Sequence, residues 1–285
     1  MTGFNLQKTK RHFTEVLAEK FPQREAEQLM RILLEDLFGI DLKRQLMEPN
    51  LRIDEFRYAQ LKTAVERLKA DEPVQYVTGM ARFGDLLIKV SPDVLIPRPE
   101  TEEMVQKICA SLPADKPLRI WDVGTGSGCI AIALAKHFAE AEVFAFDVSE
   151  AALALAKENA ESNGANVQFV LDDVLHPQSE ILFQPVDLVV SNPPYVCDSE
   201  CASMEPNVLD WEPENALFVP DEDPLLFYRQ ILTLAQNQLT PKGQVWFEIN
   251  ERMGEEMLSL CREMGFLNSE IMLDYAEKPR FIRIK

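Results

Sequence analysis

Between Leu6 and Leu68 the apolar residues recur at spacings of three and four: Phe13, Val16 and Leu17, then Leu29, Ile32, Leu33 and Leu37, then Phe56, Leu61, Val65 and Leu68. That period belongs to helices that bury one face. Breaks at Phe21-Pro22, Phe38-Gly39 and Glu48-Pro49-Asn50 divide the stretch into four or five short helices, since proline removes a backbone donor and glycine frees the chain to turn. Residues 1–72 are thus expected to form a small all-α bundle. Across residues 73–98 the pattern shifts to short β-type runs, Val74–Val77 and Leu86–Val90, broken by Gly79, Gly84 and Pro92, which predicts a β-hairpin linker. From residue 99 to 285 apolar strands alternate with helices: Leu118–Val123, Val143–Asp147, Val167–Val170, Val186–Ser191, Gln244–Ile249 and Phe281–Ile284, with helical segments between the first five. This alternation predicts an α/β domain with a mostly parallel, doubly wound sheet covered on both faces. Tyr195 to Pro224 breaks the rhythm. It is long and rich in Pro, Asp, Glu and Asn, the character of a lid or substrate platform.

Composition narrows the classes. The 285 residues suffice for one large core and a smaller companion. No apolar run approaches the roughly 20 residues that span a bilayer, and a cytoplasmic location is expected. Five scattered cysteines and three distant histidines (His12, His137, His176) lack the spacing of a metal centre or a histidine-based hydrolase, so no metal is expected. Residues 1–75 hold 13 basic and 13 acidic side chains; the 16 basic and 34 acidic residues of 76–285 therefore carry the whole net charge of −18. A field of that sign repels phosphate backbones and suits a basic partner, although solubility alone also accounts for it.

Candidate chemistry collects where strands end. Ile120-Trp121-Asp122-Val123 leads into Gly124-Thr125-Gly126-Ser127-Gly128 and then the apolar helix 130–138. Glycines there let the backbone approach a ligand at a helix N-terminus, and a tight turn needs them for structural reasons as well. Cys129 stands where the dinucleotide fingerprint has its last glycine, which favours a nucleoside over a pyrophosphate. Asp147 follows about 20 residues on, the distance at which an acid takes ribose hydroxyls; a charge at the start of the next helix is its other reading. Asp172-Asp173 ends the third strand, as an acceptor for an adenine amine or as a plain acidic turn. The fourth strand delivers Asn192-Pro193-Pro194-Tyr195, two prolines that fix the chain and a polar side chain at the end of a buried strand. All four features fall on the carboxyl edge, where open α/β sheets bind ligands.

Gly124-Thr125-Gly126-Ser127-Gly128, Asp147 and Asn192-Pro193-Pro194-Tyr195 resemble Rossmann-like class I methyltransferases that act on amino groups conjugated to a planar system. Further segments are more specific: Glu72-Pro73-Val74-Gln75-Tyr76-Val77-Thr78-Gly79, Leu95-Ile96-Pro97-Arg98-Pro99-Glu100-Thr101-Glu102, Glu212-Pro213 with Ala216-Leu217, and Asp274 with Arg280. Together they resemble the peptide chain release factor glutamine N5-methyltransferase family over nearly the whole chain. A glycine of the family pattern between Asp274 and Arg280 is absent here. The resemblance implies S-adenosyl-L-methionine as methyl donor and class I peptide chain release factors as partners, with the glutamine of their Gly-Gly-Gln motif methylated on N5. It further implies donor binding by Gly124, Thr125, Gly126, Ser127, Gly128, Asp147, Asp173 and Asn192. The Asn192 oxygen and the Pro193 carbonyl would accept the two amide hydrogens, Pro194 would stiffen the loop, and Tyr195 would wall the amide or face the sulfonium, or simply pack. Arg98 and Glu100 are placed beside the pocket or in a hinge, and the helical bundle is assigned to substrate recognition. Two rivals remain at this point: a ribosomal-protein glutamine as target, and a nucleic-acid adenine-N6 methyltransferase, which the acidic excess opposes.

Overall fold

The computed structural model describes residues 3–113, 116–203 and 206–285, the side chains of Asp198, Ala202, Ser203 and Pro206 excepted. The chain divides into two compact units, Met1–Met80 with Glu205–Trp211, and Ala81–Met204 with Glu212–Lys285.

The first unit is the helical one, with helices Leu6–Ala18, Gln23–Phe38, Leu42–Met47, Glu55–Lys69 and Val74–Thr78. Asn5, Asp41 and Asp54 start three of them by accepting from the backbone N–H of Lys8, Arg44 and Arg57, satisfying donors the helix itself leaves free. Gly39 ends the second at φ 63°, left-handed backbone that glycine enters without strain. The periodic residues Leu17, Leu33, Leu61 and Val65 meet in one core. Phe56, counted in the same pattern, is instead 72% exposed. The β-type reading of Val74–Val77 is overturned, because that run is helical. Pro73 precedes it, Gly79 closes it at φ 73°, and Arg67 donates to the Tyr76 and Val77 carbonyls while paired with buried Glu72. The brackets and the carbonyl clamp outweigh the β preference of two valines and a tyrosine.

The hairpin is shorter than expected, Met80–Phe83 against Leu86–Lys89. Beyond it lies a seven-stranded sheet: β1 Arg119–Val123, β2 Glu142–Asp147, β3 Gln168–Leu171, β4 Val186–Ser191, β5 Leu239–Glu248, β6 Ser269–Leu273 and β7 Pro279–Ile284. Their order is β6-β7-β5-β4-β1-β2-β3. The β1–β5 pairings are parallel, and β7 runs antiparallel to β5 and β6. The order reverses between β1 and β4, which opens a crevice at their carboxyl ends. Trp121, Val189, Val245 and Phe247 belong to the core on one face of the sheet. The expected helix between β3 and β4 is corrected to a single turn, Glu180–Phe183. Asp172 organises that connection by accepting from the N–H of Gln178 and Ser179, a turn chemistry that leaves no room for helix. Between Asp274 and Arg280, Glu277 is held at φ 61°, in a turn where Asp274 accepts from the N–H groups of Ala276 and Lys278. Among the described residues no helix is long and apolar enough to cross a membrane.

Candidate active site

Parallel pairing brings the ends of β1, β2, β3, β4 and β5 to one edge, with Val123 beside Phe146, Asp147 beside Leu171, and Ser191 beside Phe247. Ser191 ties that edge together by donating its hydroxyl to the Val123 carbonyl at 2.6 Å. A cavity of about 290 Å³ opens there, close to the lower bound of small-molecule sites.

The glycine turn forms one wall. Gly124, Gly126 and Gly128 have φ of 74°, 53° and 82°. The Gly124 and Thr125 N–H groups donate to the Phe146 carbonyl, and the Thr125 hydroxyl donates to buried Asp122 at 2.6 Å. A Cβ at Gly124 or Gly126 would meet no protein atom within 4 Å, so the space above them is open to a ligand. Gly128 differs, lying outside the lining, and its Cβ would come within 3.0 Å of Ala156 Cβ. Its requirement is left-handed backbone together with close packing against Ala156. Gly128→Ala is therefore expected to cost about 1 kcal/mol of stability from left-handed backbone alone, read by urea unfolding; an unchanged midpoint would contradict that cause.

Asp147 lines the cavity. Its Oδ2 accepts from the Gly126 N–H at 2.8 Å and its Oδ1 from the Ser149 N–H at 2.9 Å, which still leaves lone pairs for ribose hydroxyls. Burial raises its pKa, and the bonds from Ser149 and Gly126 oppose the rise. Asp172 and Asp173 both line the site, in different roles. The Asp172 carboxylate is engaged by the Gln178 and Ser179 N–H groups. Asp173 pairs with His176, whose hydrogen bond holds its carboxyl below the usual range.

Asn192, Pro193 and Pro194 line the same cavity. The Asn192 Nδ2 donates to Thr101 Oγ1 at 3.1 Å. Its Oδ1 is buried without a partner. No other buried partnerless side-chain oxygen among the described residues belongs to a residue lining the cavity. Tyr195 lies outside the lining; its hydroxyl donates to Glu248 at 3.3 Å and its ring packs on the sheet core. Burial, and then the Glu248 charge, push that hydroxyl's pKa well up.

Two residues were not legible as site residues. Glu248, 1% exposed at the end of β5, accepts from Thr101 at 2.6 Å and from Tyr195. Burial pushes its carboxyl up to about 7. Thr101 sits in the first turn of helix Pro99–Ser111 and turns its hydroxyl to Glu248. The available signal was a carboxylate within the apolar run Val245-Trp246-Phe247-Glu248-Ile249, since a buried charge needs a reason. Arg98 also finds its place. It bonds Glu212 Oε1 at 2.6 Å, while Glu212 Oε2 accepts from the Ile96 N–H, fastening the segment that brings Asn215 and Ala216 over the cavity. Glu100 does not line it.

Residues 104–206 match the methyltransferase small domain family and residues 10–79 the PrmC N-terminal domain family. The chain is 41% identical over 275 residues to the release factor glutamine methyltransferase of Flavobacterium psychrophilum, covering 95% of this chain and 96% of that one. The chain belongs to the release factor glutamine methyltransferase family. The Bacteroides thetaiotaomicron member of that family is 40% identical, again over 95% of this chain and 96% of its own. Both units are thus inside the similarity to release factor glutamine methyltransferases. Among solved structures, the hMettl16 catalytic domain in complex with the MAT2A 3′UTR hairpin 6 aligns with TM-score 0.54 at 16% identity, over 81% of this chain and 82% of that one. The Thermus thermophilus 16S rRNA N2 G1207 methyltransferase in complex with AdoMet and guanosine gives 0.52 at 16%, over 72% and 49%. At that identity these likenesses show the fold alone.

Proposed function

We propose that this cavity holds S-adenosylmethionine beside the glutamine side chain of a class I release factor's Gly-Gly-Gln motif, and that the enzyme methylates its N5. The observation that carries the reading is the buried, partnerless Oδ1 of Asn192, a residue that lines the same cavity as the glycine turn and Asp147. The residues fit the cofactor: two glycines whose missing side chains leave open space, an apolar lining, and Asp147 with lone pairs to spare. When bound, it supplies an electrophilic methyl group on a sulfonium.

The difficulty lies in the acceptor. An amide nitrogen is a poor nucleophile because its lone pair is delocalised into the carbonyl, so the protein must position it and favour positive charge on it. The Asn192 Oδ1 is assigned one amide hydrogen and the Pro193 carbonyl the other, both on the family pattern. Two acceptors fix the plane of the amide and stabilise charge developing on nitrogen, a positioning and electrostatic contribution. Proton loss follows transfer, and no dedicated base is needed. Pro193 and Pro194 lower the cost of holding this geometry, because their φ is already fixed. The helical unit, which matches the PrmC N-terminal domain family over residues 10–79, is assigned to recognition of the release factor.

Incubation with labelled S-adenosylmethionine and a release factor, wild type or with the motif glutamine replaced by alanine, tests the reading. Label is expected on the wild-type factor alone. Label on the alanine form, or on RNA offered at low salt, would contradict it.

A further inference from the structure

We infer that Thr101 and Glu248 are positioning residues that decide which end of the Asn192 amide faces the cavity. The inference rests on the reading above, in which Asn192 must present its oxygen to the substrate.

An amide side chain has nearly the same shape either way round, so its orientation has to be imposed by its neighbours. Asn192 is within hydrogen-bond distance of Thr101 Oγ1, at 3.1 Å from Nδ2. A hydroxyl has one proton and two lone pairs. Thr101 Oγ1 lies 2.6 Å from Glu248 Oε2, and an ionised carboxylate only accepts. The threonine proton is thereby committed to Glu248, and lone pairs are all that Thr101 can offer Asn192. The amide answers with Nδ2, and Oδ1 is left buried and without a protein partner. Reversing the relay would put an N–H of Asn192 against the N–H groups of the incoming amide, two donors with no acceptor between them. Both relay members are deeply buried, Thr101 at 3% and Glu248 at 1% exposure, so water does not substitute for either.

The relay depends on the charge of Glu248. The groups that face it are Arg280 of β7, which favours the ionised form, and Glu100 on the helix of Thr101, which opposes it. The Tyr195 hydroxyl donates to it, the Tyr228 hydroxyl donates to its backbone carbonyl, and its charge reaches the Cys129 thiol. Burial outweighs these and holds the carboxyl near 7. Once protonated, Glu248 has a proton to offer Thr101, which is then free to donate to Asn192. Turnover is expected to fall as pH drops through about 7.

The test is steady-state kinetics with saturating donor and a release factor, on T101V, T101S, E248Q and the T101V/E248Q double variant, with N192A alongside. T101V and E248Q are expected to lose about tenfold in kcat with KM for the factor nearly unchanged, and T101S to recover most of the loss. Because Glu248 acts through the threonine hydroxyl, the double variant should be no slower than the slower single one. The acid limb of the wild-type profile should be absent in T101V. Thermal midpoints and calorimetric donor affinity, measured on each variant, separate misfolding from misorientation. Wild-type kcat in T101V or E248Q, or losses that multiply in the double variant, would overturn the relay while an inactive N192A leaves the reading of Asn192 standing. An active N192A would remove that reading and the relay together.

Discussion

Asn192→Ala is expected to slow methyl transfer on the order of 100-fold, about 3 kcal/mol of barrier, by analogy with deleting one preorganised polar group from a transition-state site. The size follows from what the oxygen faces. The oxygen is buried and has no protein partner to lose, so the unliganded protein should register only the loss of the Nδ2 bond to Thr101, about 1 kcal/mol of stability. The loss falls on the complex, where one amide hydrogen of the acceptor would go unaccepted and charge on its nitrogen would be less well compensated. Donor affinity should change less than the rate, because Asn192 is one of several residues expected at the donor and the glycine turn and Asp147 stand on other strands. The effect should therefore appear in kcat more than in either KM. Single-turnover transfer of labelled methyl, with donor binding followed separately by calorimetry, makes the distinction. A rate within threefold of wild type would remove Asn192 from the reaction.

The parts of this site that the sequence disclosed are those where local chemistry and periodicity agree. The glycine turn, Asp147 and Asn192-Pro193-Pro194 each end a strand whose apolar run is unambiguous, and parallel pairing then brings strand ends together without further information. What stayed hidden depends on contacts across the chain. Glu248 and Thr101 lie 147 residues apart and meet only because helix Pro99–Ser111 packs at the end of β5; nothing in either neighbourhood names the other. Val74–Val77 misled for the opposite reason. Its β-branched composition is local, whereas the clamp from Arg67 and Glu72 that holds it helical is not. The edge strand β6 went unseen because Ser269–Leu273 is short and only partly buried, so its hydrophobic pattern is weak. Tyr195 carries the same lesson within the motif itself: the motif placed it, and the fold turned its hydroxyl away to Glu248.

Stability should fall as pH rises from 5.5 to 8, against the habit of proteins whose carboxylates are salt-bridged. Asp122 is fully buried under the glycine turn, where it accepts from the Thr125 hydroxyl and the Ala131 N–H while its other oxygen has no partner. Burial pushes its carboxyl from the usual 3.8 up to about 7, and the nearby Asp147 charge adds to the rise. Between those two values the folded protein holds a proton that the unfolded chain has released, so unfolding is favoured with each step up in pH until the folded group also ionises. From pH 5.5 to about 7 that is roughly 1.5 pH units, or about 2 kcal/mol for one group. Glu248, raised from 4.5 to about 7, contributes in the same window and with the same sign. The carboxyls held low by cationic or backbone partners, such as Asp274 and Asp173, titrate below this window and do not offset it. Working above pH 5.5 also avoids the isoelectric region near 4.6, where solubility would confuse the reading. Urea unfolding of wild type and Asp122→Asn at the two pH values isolates the Asp122 share: the variant, carrying no titrating group there, should lose about 2 kcal/mol less than wild type. Parallel losses in the two proteins would mean that Asp122 is already ionised at the lower pH. The turn would then hold a bare buried charge over which a cationic donor binds, rather than a neutral acid.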